Sequence, residues 1–70
     1  MSTLTLTPLG KSVAEDTQGR GPEYAVLSLL YEASGPVDIE EVMDATRADD
    51  EKSLMIINRL IGRGLVRELQ

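Results

Sequence analysis

No cysteine and no histidine occur in this 70-residue chain, and phenylalanine and tryptophan are absent as well. Without cysteine no disulfide can staple so small a domain, and without either residue the usual zinc ligand sets cannot form, which leaves carboxylates as the only candidate metal ligands. Tyr24 and Tyr31 are the only aromatics, so the core has to be aliphatic, built from Leu, Ile, Val, Met and Ala; that suits packed helices. Catalysis is short of parts. Ser2, Ser12, Ser28, Ser34 and Ser53 have no evident base beside them, and a domain of this size encloses no deep pocket of its own, so the expectation is a non-enzyme without cofactor. Nothing approaches the roughly 20 apolar residues of a membrane span, and the amino-terminal stretch lacks the basic flank and apolar run of a signal peptide. The expected location is cytoplasmic, with no membrane partner.

What is present is a single small domain over residues 1–70, near the size where only about 60% of the unfolded surface can be buried and one core supplies about 3–5 kcal/mol. The net charge of −5 conceals a polarised molecule. Residues 1–51 carry three basic groups (Lys11, Arg20, Arg47) against eleven acidic ones, −8 in all, whereas residues 52–70 carry Lys52, Arg59, Arg63 and Arg67 against Glu68, +3. An acidic average argues against loose coating of DNA, where affinity comes from neutralised phosphates, but a local basic stripe can still dock on a phosphate backbone.

Along the chain, residues 3–7 alternate threonine and leucine, the period-2 pattern of a half-buried strand with Leu4 and Leu6 facing the core. Thr7-Pro8 reads as an N-cap followed by proline at the first helical position, and Leu9, Val13 and Ala14 provide an apolar face as far as the Gln18-Gly19-Arg20-Gly21 break. Gly21-Pro22 starts a second helix, filled by Ala25, Val26, Leu27, Leu29, Leu30 and Ala33, and Gly35-Pro36 stops it, with glycine free to adopt positive φ. Its wide apolar arc predicts a central position.

The third helix announces itself with a capping box, Asp38 accepting from the Glu41 amide and Glu41 reaching back, and with a hydrophobic staple of Val37 on Val42. Ile39, Val42 and Met43 face inward, and the helix ends near Arg47. Thr46 or Asp49 caps the fourth helix, whose acidic first turn sits at the positive end of its dipole. At about 100° per residue, Ile56, Leu60, Ile57, Ile61 and Leu54 span an inward arc of about 160°, while Lys52, Arg59 and Arg63 fall within about 40° on the other side. Gly64 is placed to be the left-handed residue at the helix end, Leu65 folds back on Leu60 as a Schellman motif requires, and Leu65–Leu69 continues as a strand. The expected class is therefore mainly α with a small β-sheet, in the order β-α-α-α-α-β, with the two terminal strands able to pair.

From about Glu23 to Leu69 this pattern resembles a winged helix-turn-helix domain. The resemblance is carried by Val26, Leu29 and Leu30 in one helix, by Gly35-Pro36-Val37-Asp38-Ile39-Glu40-Glu41-Val42 leading into the next, and by Ile57, Leu60, Gly64, Leu65 and Val66 at the close. It assigns the helix-turn-helix core to residues 22–69 and the strand and helix before it to residues 1–20. The phrase Leu6-Thr7-Pro8-Leu9-Gly10-Lys11 is similar to one that follows the wing in related regulators, although here it comes first. The chain stops at Gln70, after the first wing strand, so the expectation is that the amino-terminal strand stands in for the second.

The resemblance implies double-stranded DNA as the partner, a role in transcription regulation, and homodimers spanning two half-sites, with residues 50–63 as the recognition helix. Its outward residues are then Lys52, Met55, Asn58 and Arg59, with Arg63 nearer the backbone. Asn58 and Arg59 can read adenine or guanine edges, and Met55 offers apolar contact. Plainer accounts stand beside these: a cationic stripe solvated and balanced by Glu51 and Glu68, and an exposed methionine with no role. The rival function is an acidic protein-interaction or dimerisation module that meets its partner around Met55, Ile56 and Ile61. Gly10-Lys11-Ser12 matches the end of a phosphate-binding loop, but Thr5 occupies the place of its first glycine; Glu40-Glu41 with Asp44, and Asp49-Asp50-Glu51, are explained as helix N-terminal or surface charge rather than a metal site.

Overall fold

Alternating threonine and leucine give the amino-terminal segment one apolar face and one polar face, and in the computed structural model, which describes residues 2–16 and 19–69, it forms the middle strand of a sheet. Strand β1 (Thr3–Leu6) lies between β2 (Val37–Asp38) and β3 (Val66–Leu69), antiparallel to both. Leu4 pairs with Val37 on one side and Glu68 on the other, and Leu6 with Val66. This register turns Leu4, Val37 and Val66 into the core, where all three are buried, with Leu6 packed against them. The terminal strands pair as expected. The third strand, β2, interrupts the expected order of elements because Val37 and Asp38 are captured by β1 before the following helix begins.

Among the described residues four helices complete the fold: α1 (Pro8–Asp16), α2 (Pro22–Ala33), α3 (Ile39–Thr46) and α4 (Asp50–Gly62). Helix α2 touches α1, α3, α4 and β1, the central position its apolar arc requires, and buries Val26, Leu27 and Leu30. Val42 from α3 and Ile56, Ile57 and Leu60 from α4 close the core, joined by Leu65. Among the described residues no helix is long and apolar enough to cross a membrane.

The helix ends show how local chemistry and packing share control. Asp49 caps α4 by accepting from the Lys52 amide at 2.8 Å. Asp38 caps α3 by accepting from the Glu40 amide at 2.9 Å, not from Glu41 as a capping box would have it: paired in β2 opposite Thr3, the Asp38 carboxylate meets the nearer of the two free amides. Helix α2 ends one residue earlier than Gly35-Pro36 suggests, with Ser34 itself left-handed (φ 58). At the end of α4 the Schellman motif is complete: Gly64 adopts φ 77, its amide donates to the Ile61 carbonyl at 2.9 Å, and the Leu65 amide donates to the Leu60 carbonyl at 3.0 Å.

That turn is also where α1 docks. Thr7 caps α1 by accepting from the Gly10 amide at 2.9 Å, while its hydroxyl donates to the Gly64 carbonyl at 2.6 Å and its amide to the Leu65 carbonyl at 3.1 Å. Gly10 lies against the Leu65 backbone so closely that a Cβ would collide with the carbonyl oxygen. The Thr-Pro-Leu-Gly phrase thus has a mechanical meaning. Pressing Gly10 inward aims Val13 and Ala14 at the core and leaves Leu9, about 100° away around the helix, 56% exposed rather than inward. On the other flank of α1, Glu15 accepts from the Tyr31 hydroxyl at 2.9 Å. This bond and the carboxylate's negative charge raise the Tyr31 phenol above its ordinary value.

On α4, Leu54 is 41% exposed, contrary to the inward expectation, whereas Ser53 is buried. Ser53 lies within about 20° of Leu60 around the helix and Leu54 about 120° from it, so the polar residue is the one aimed at the core. It is satisfied there. Its hydroxyl shares a 2.6 Å bond with Thr46, which also donates to the Met43 carbonyl at 2.7 Å, fastening the α3–α4 turn.

Two measurements follow from this packing. Gly10→Ala should lower the urea-unfolding free energy by about 1–3 kcal/mol through overpacking, while Gly62→Ala, which meets open space, should raise it by about 0.5–1 kcal/mol; a Gly10 variant as stable as the wild type would refute the docking of α1 on Leu65. Thr46→Val should cost about 1–2 kcal/mol, and a double-mutant cycle with Ser53→Ala should show less than additive loss. Strict additivity would mean the two hydroxyls do not share a bond.

Candidate nucleic-acid interface

Helix α4 is buried along Ser53, Ile56, Ile57 and Leu60, and this decides what its other side presents. At about 100° per residue the outward crest consists of Glu51, Met55, Asn58 and Gly62. Lys52, Arg59 and Arg63 form one flank, and Leu54 with half-buried Ile61 the other. The five residues expected at an interface, Lys52, Met55, Asn58, Arg59 and Arg63, are all exposed and share this outward half of the helix, with Met55 57% accessible.

The two arginines are not free of partners. Glu23, in the first turn of α2, divides its carboxylate between them: Oε2 is 3.4 Å from Nη1 of Arg59, and Oε1 is 3.4 Å from Nη1 of Arg63. The counter-charges expected from the sequence are Glu51 and Glu68, on the same helix and the next strand. The charge instead comes from a residue 36 to 40 positions earlier, brought there because the start of α2 lies beside the end of α4. Sequence reasoning missed Glu23. The one local signal, an acid just after Gly21-Pro22, says only that it suits a helix N-terminus.

These pairs are weak holds. Each arginine side chain remains 58% exposed and Glu23 34%, and exposed pairs contribute about 0.2–1 kcal/mol. The distances also exceed the about 2.7–2.9 Å of a strong charge-assisted bond. The guanidinium groups therefore keep most of their surface and hydrogen-bonding capacity turned to solvent. Lys52 is exposed two turns back on the same flank, and Arg67 is exposed on β3, paired in register with Thr5.

Charge along α4 runs from acidic to basic. Asp49, Asp50 and Glu51 crowd its amino end and Arg59 and Arg63 its carboxyl end, each sign stabilised by the helix dipole. A polyanion is repelled by Asp49, Asp50 and Glu51 and attracted by the flank of Lys52, Arg59 and Arg63, most strongly toward its carboxyl end. The rival interface needs a correction too. Ile56 is 6% exposed and unavailable to a partner, so the apolar surface consists of Met55 and Leu54, with Ile61 at its margin. Comparison of the chain with family models, with curated proteins and with solved structures gives no match in any of the three.

Proposed function

We propose that this protein is a small winged-helix DNA-binding protein that regulates transcription as a homodimer, with α4 as its recognition helix. The observation that carries the reading is the two-sided character of α4. Its core side is fully engaged, while Lys52, Asn58, Arg59 and Arg63 project together on the outward side. In this reading β1 takes the position of the second wing strand, since it pairs along the whole of β3, and Arg67 supplies a cation on the wing. Asn58 reads a base edge from the crest, Met55 makes apolar contact beside it, and the basic flank meets phosphates. Two such helices, related by a twofold axis, would address half-sites about 34 Å apart. The reading assigns no catalysis and no cofactor.

A second reading is favoured by a different observation, the exposure of Leu54 and Met55 together on an acidic body. In it, the same outward half of α4 meets a protein partner, and its arginines serve only to orient the docking.

Duplex titrations separate the two. Lys52→Ala, Arg59→Ala and Arg63→Ala should weaken binding to all sequences alike, and each should reduce the slope of log K against log salt by about 0.9. Asn58→Ala should instead relax discrimination at one base pair by about 1–3 kcal/mol. Wild-type protein that binds no duplex in about 50 mM salt, where phosphate contacts are strongest, would eliminate the DNA reading and leave the protein-partner one.

A further inference from the structure

Glu23 lies between Arg59 and Arg63 with one carboxylate oxygen toward each. A third arginine, Arg20, lines the same cavity of ≈ 220 Å³ as Glu23 and Arg63, and that cavity is backed by Leu27 and Leu65. Two guanidinium groups thus share one carboxylate, with one positive charge in excess, and Arg20 borders the cavity beside them. The two oxygens of a carboxylate and the two non-bridging oxygens of a phosphodiester present the same kind of acceptor to a guanidinium fork. The apolar backing from Leu27 and Leu65, both buried, keeps water from one side of the site.

We infer that the ends of α2 and α4 form an oxyanion site for one phosphate of the duplex backbone, in which Glu23 is the built-in competitor that the phosphate displaces. The inference rests on the DNA-binding reading and adds to it a contact, a further residue in Arg20, and a brake. Glu23 comes away easily because both of its pairs are long and exposed, and because the first turn of α2 stabilises its charge whether or not it touches an arginine. Phosphate gains more than it displaces, since the arginines keep their full charge while losing only a shared partner. The acidic body then has a consequence for selectivity. Isolated anions must compete with a tethered carboxylate, whereas a duplex that engages Lys52 and Asn58 at the same time holds its phosphate in place long enough to win.

The test is Glu23→Gln in the full chain, with Glu32→Gln at the other end of α2 as a control for net charge. The Glu23→Gln variant should bind duplex DNA about 5-fold more tightly, the size of an exposed ion pair released, with its salt slope unchanged because the same phosphate is neutralised in both proteins; Glu32→Gln should give a smaller gain. The gain should vanish when Arg59 and Arg63 are both alanine, and Arg20→Ala should reduce it. Binding by the Glu23→Gln variant equal to or weaker than that of a wild type that needs Arg59 and Arg63 would overturn the brake while leaving the DNA reading intact. If neither protein binds duplex, the DNA reading falls, and elution from phosphocellulose decides the site. Later, arginine-dependent elution of the Glu23→Gln variant supports it, and co-elution with Glu32→Gln overturns it. Thermal unfolding of each variant confirms that the folded chain is being compared.

Discussion

The backbone of Gly64 and Leu65 joins the two ends of this molecule. It closes α4 through the Schellman bonds to Leu60 and Ile61, it receives the Thr7 hydroxyl and amide, and it is the surface on which Gly10 rests. From that turn β3 runs back along β1 with Leu6 opposite Val66, so the same few atoms set the pairing register and the attitude of α1. A chain with no cysteine, no histidine and few aromatics has little else with which to tie a helix to a strand. Hydrogen bonds at one satisfied turn, backed by burial of Leu65 and Val66, take that part.

The consequence for the interface is orientation. Because α4 is fastened at its first turn through the buried Thr46–Ser53 hydroxyl pair and at its last through the Gly64 turn, it cannot roll about its axis. Met55 and Asn58 are held on the outward crest, and Arg59 and Arg63 on the flank that faces the start of α2. Glu23 is therefore in reach of both arginines as a result of helix packing, and its contacts temper the basic end of α4. Charge distribution, and not net charge, is the physical quantity that governs what α4 can meet.

Much of the architecture was legible in the residues. The four helices, the terminal strands, the Thr7 and Asp49 caps and the Gly64 turn all follow from short-range signals, since each depends on residues within a few positions of one another. The misreadings share a cause. Leu9 and Leu54 have the hydrophobicity of core residues but lie at the margins of their helical arcs, and their exposure was set by what packs beside them. Ser53 has the polarity of a surface residue but sits at the centre of its arc, and its burial is possible only because Thr46 waits across the turn. Asp38 reaches Glu40, and not Glu41, because β1 had already paired with it.

At the candidate interface, residue spacing alone sets which helix carries the cations and on which side: the 3.6-residue period binds Lys52, Arg59 and Arg63 to one flank once Ile56, Ile57 and Leu60 are buried. Local preference also sets the polarity of charge along that helix, because capping and the dipole select acids at one end and bases at the other. Long-range packing, by contrast, brings Glu23 to Arg59 and Arg63, sets Arg20 and Arg63 on one cavity, and seats β1 between β2 and β3. Those relations join residues far apart in the chain. No local periodicity encodes them, since they arise from the way the whole aliphatic core closes.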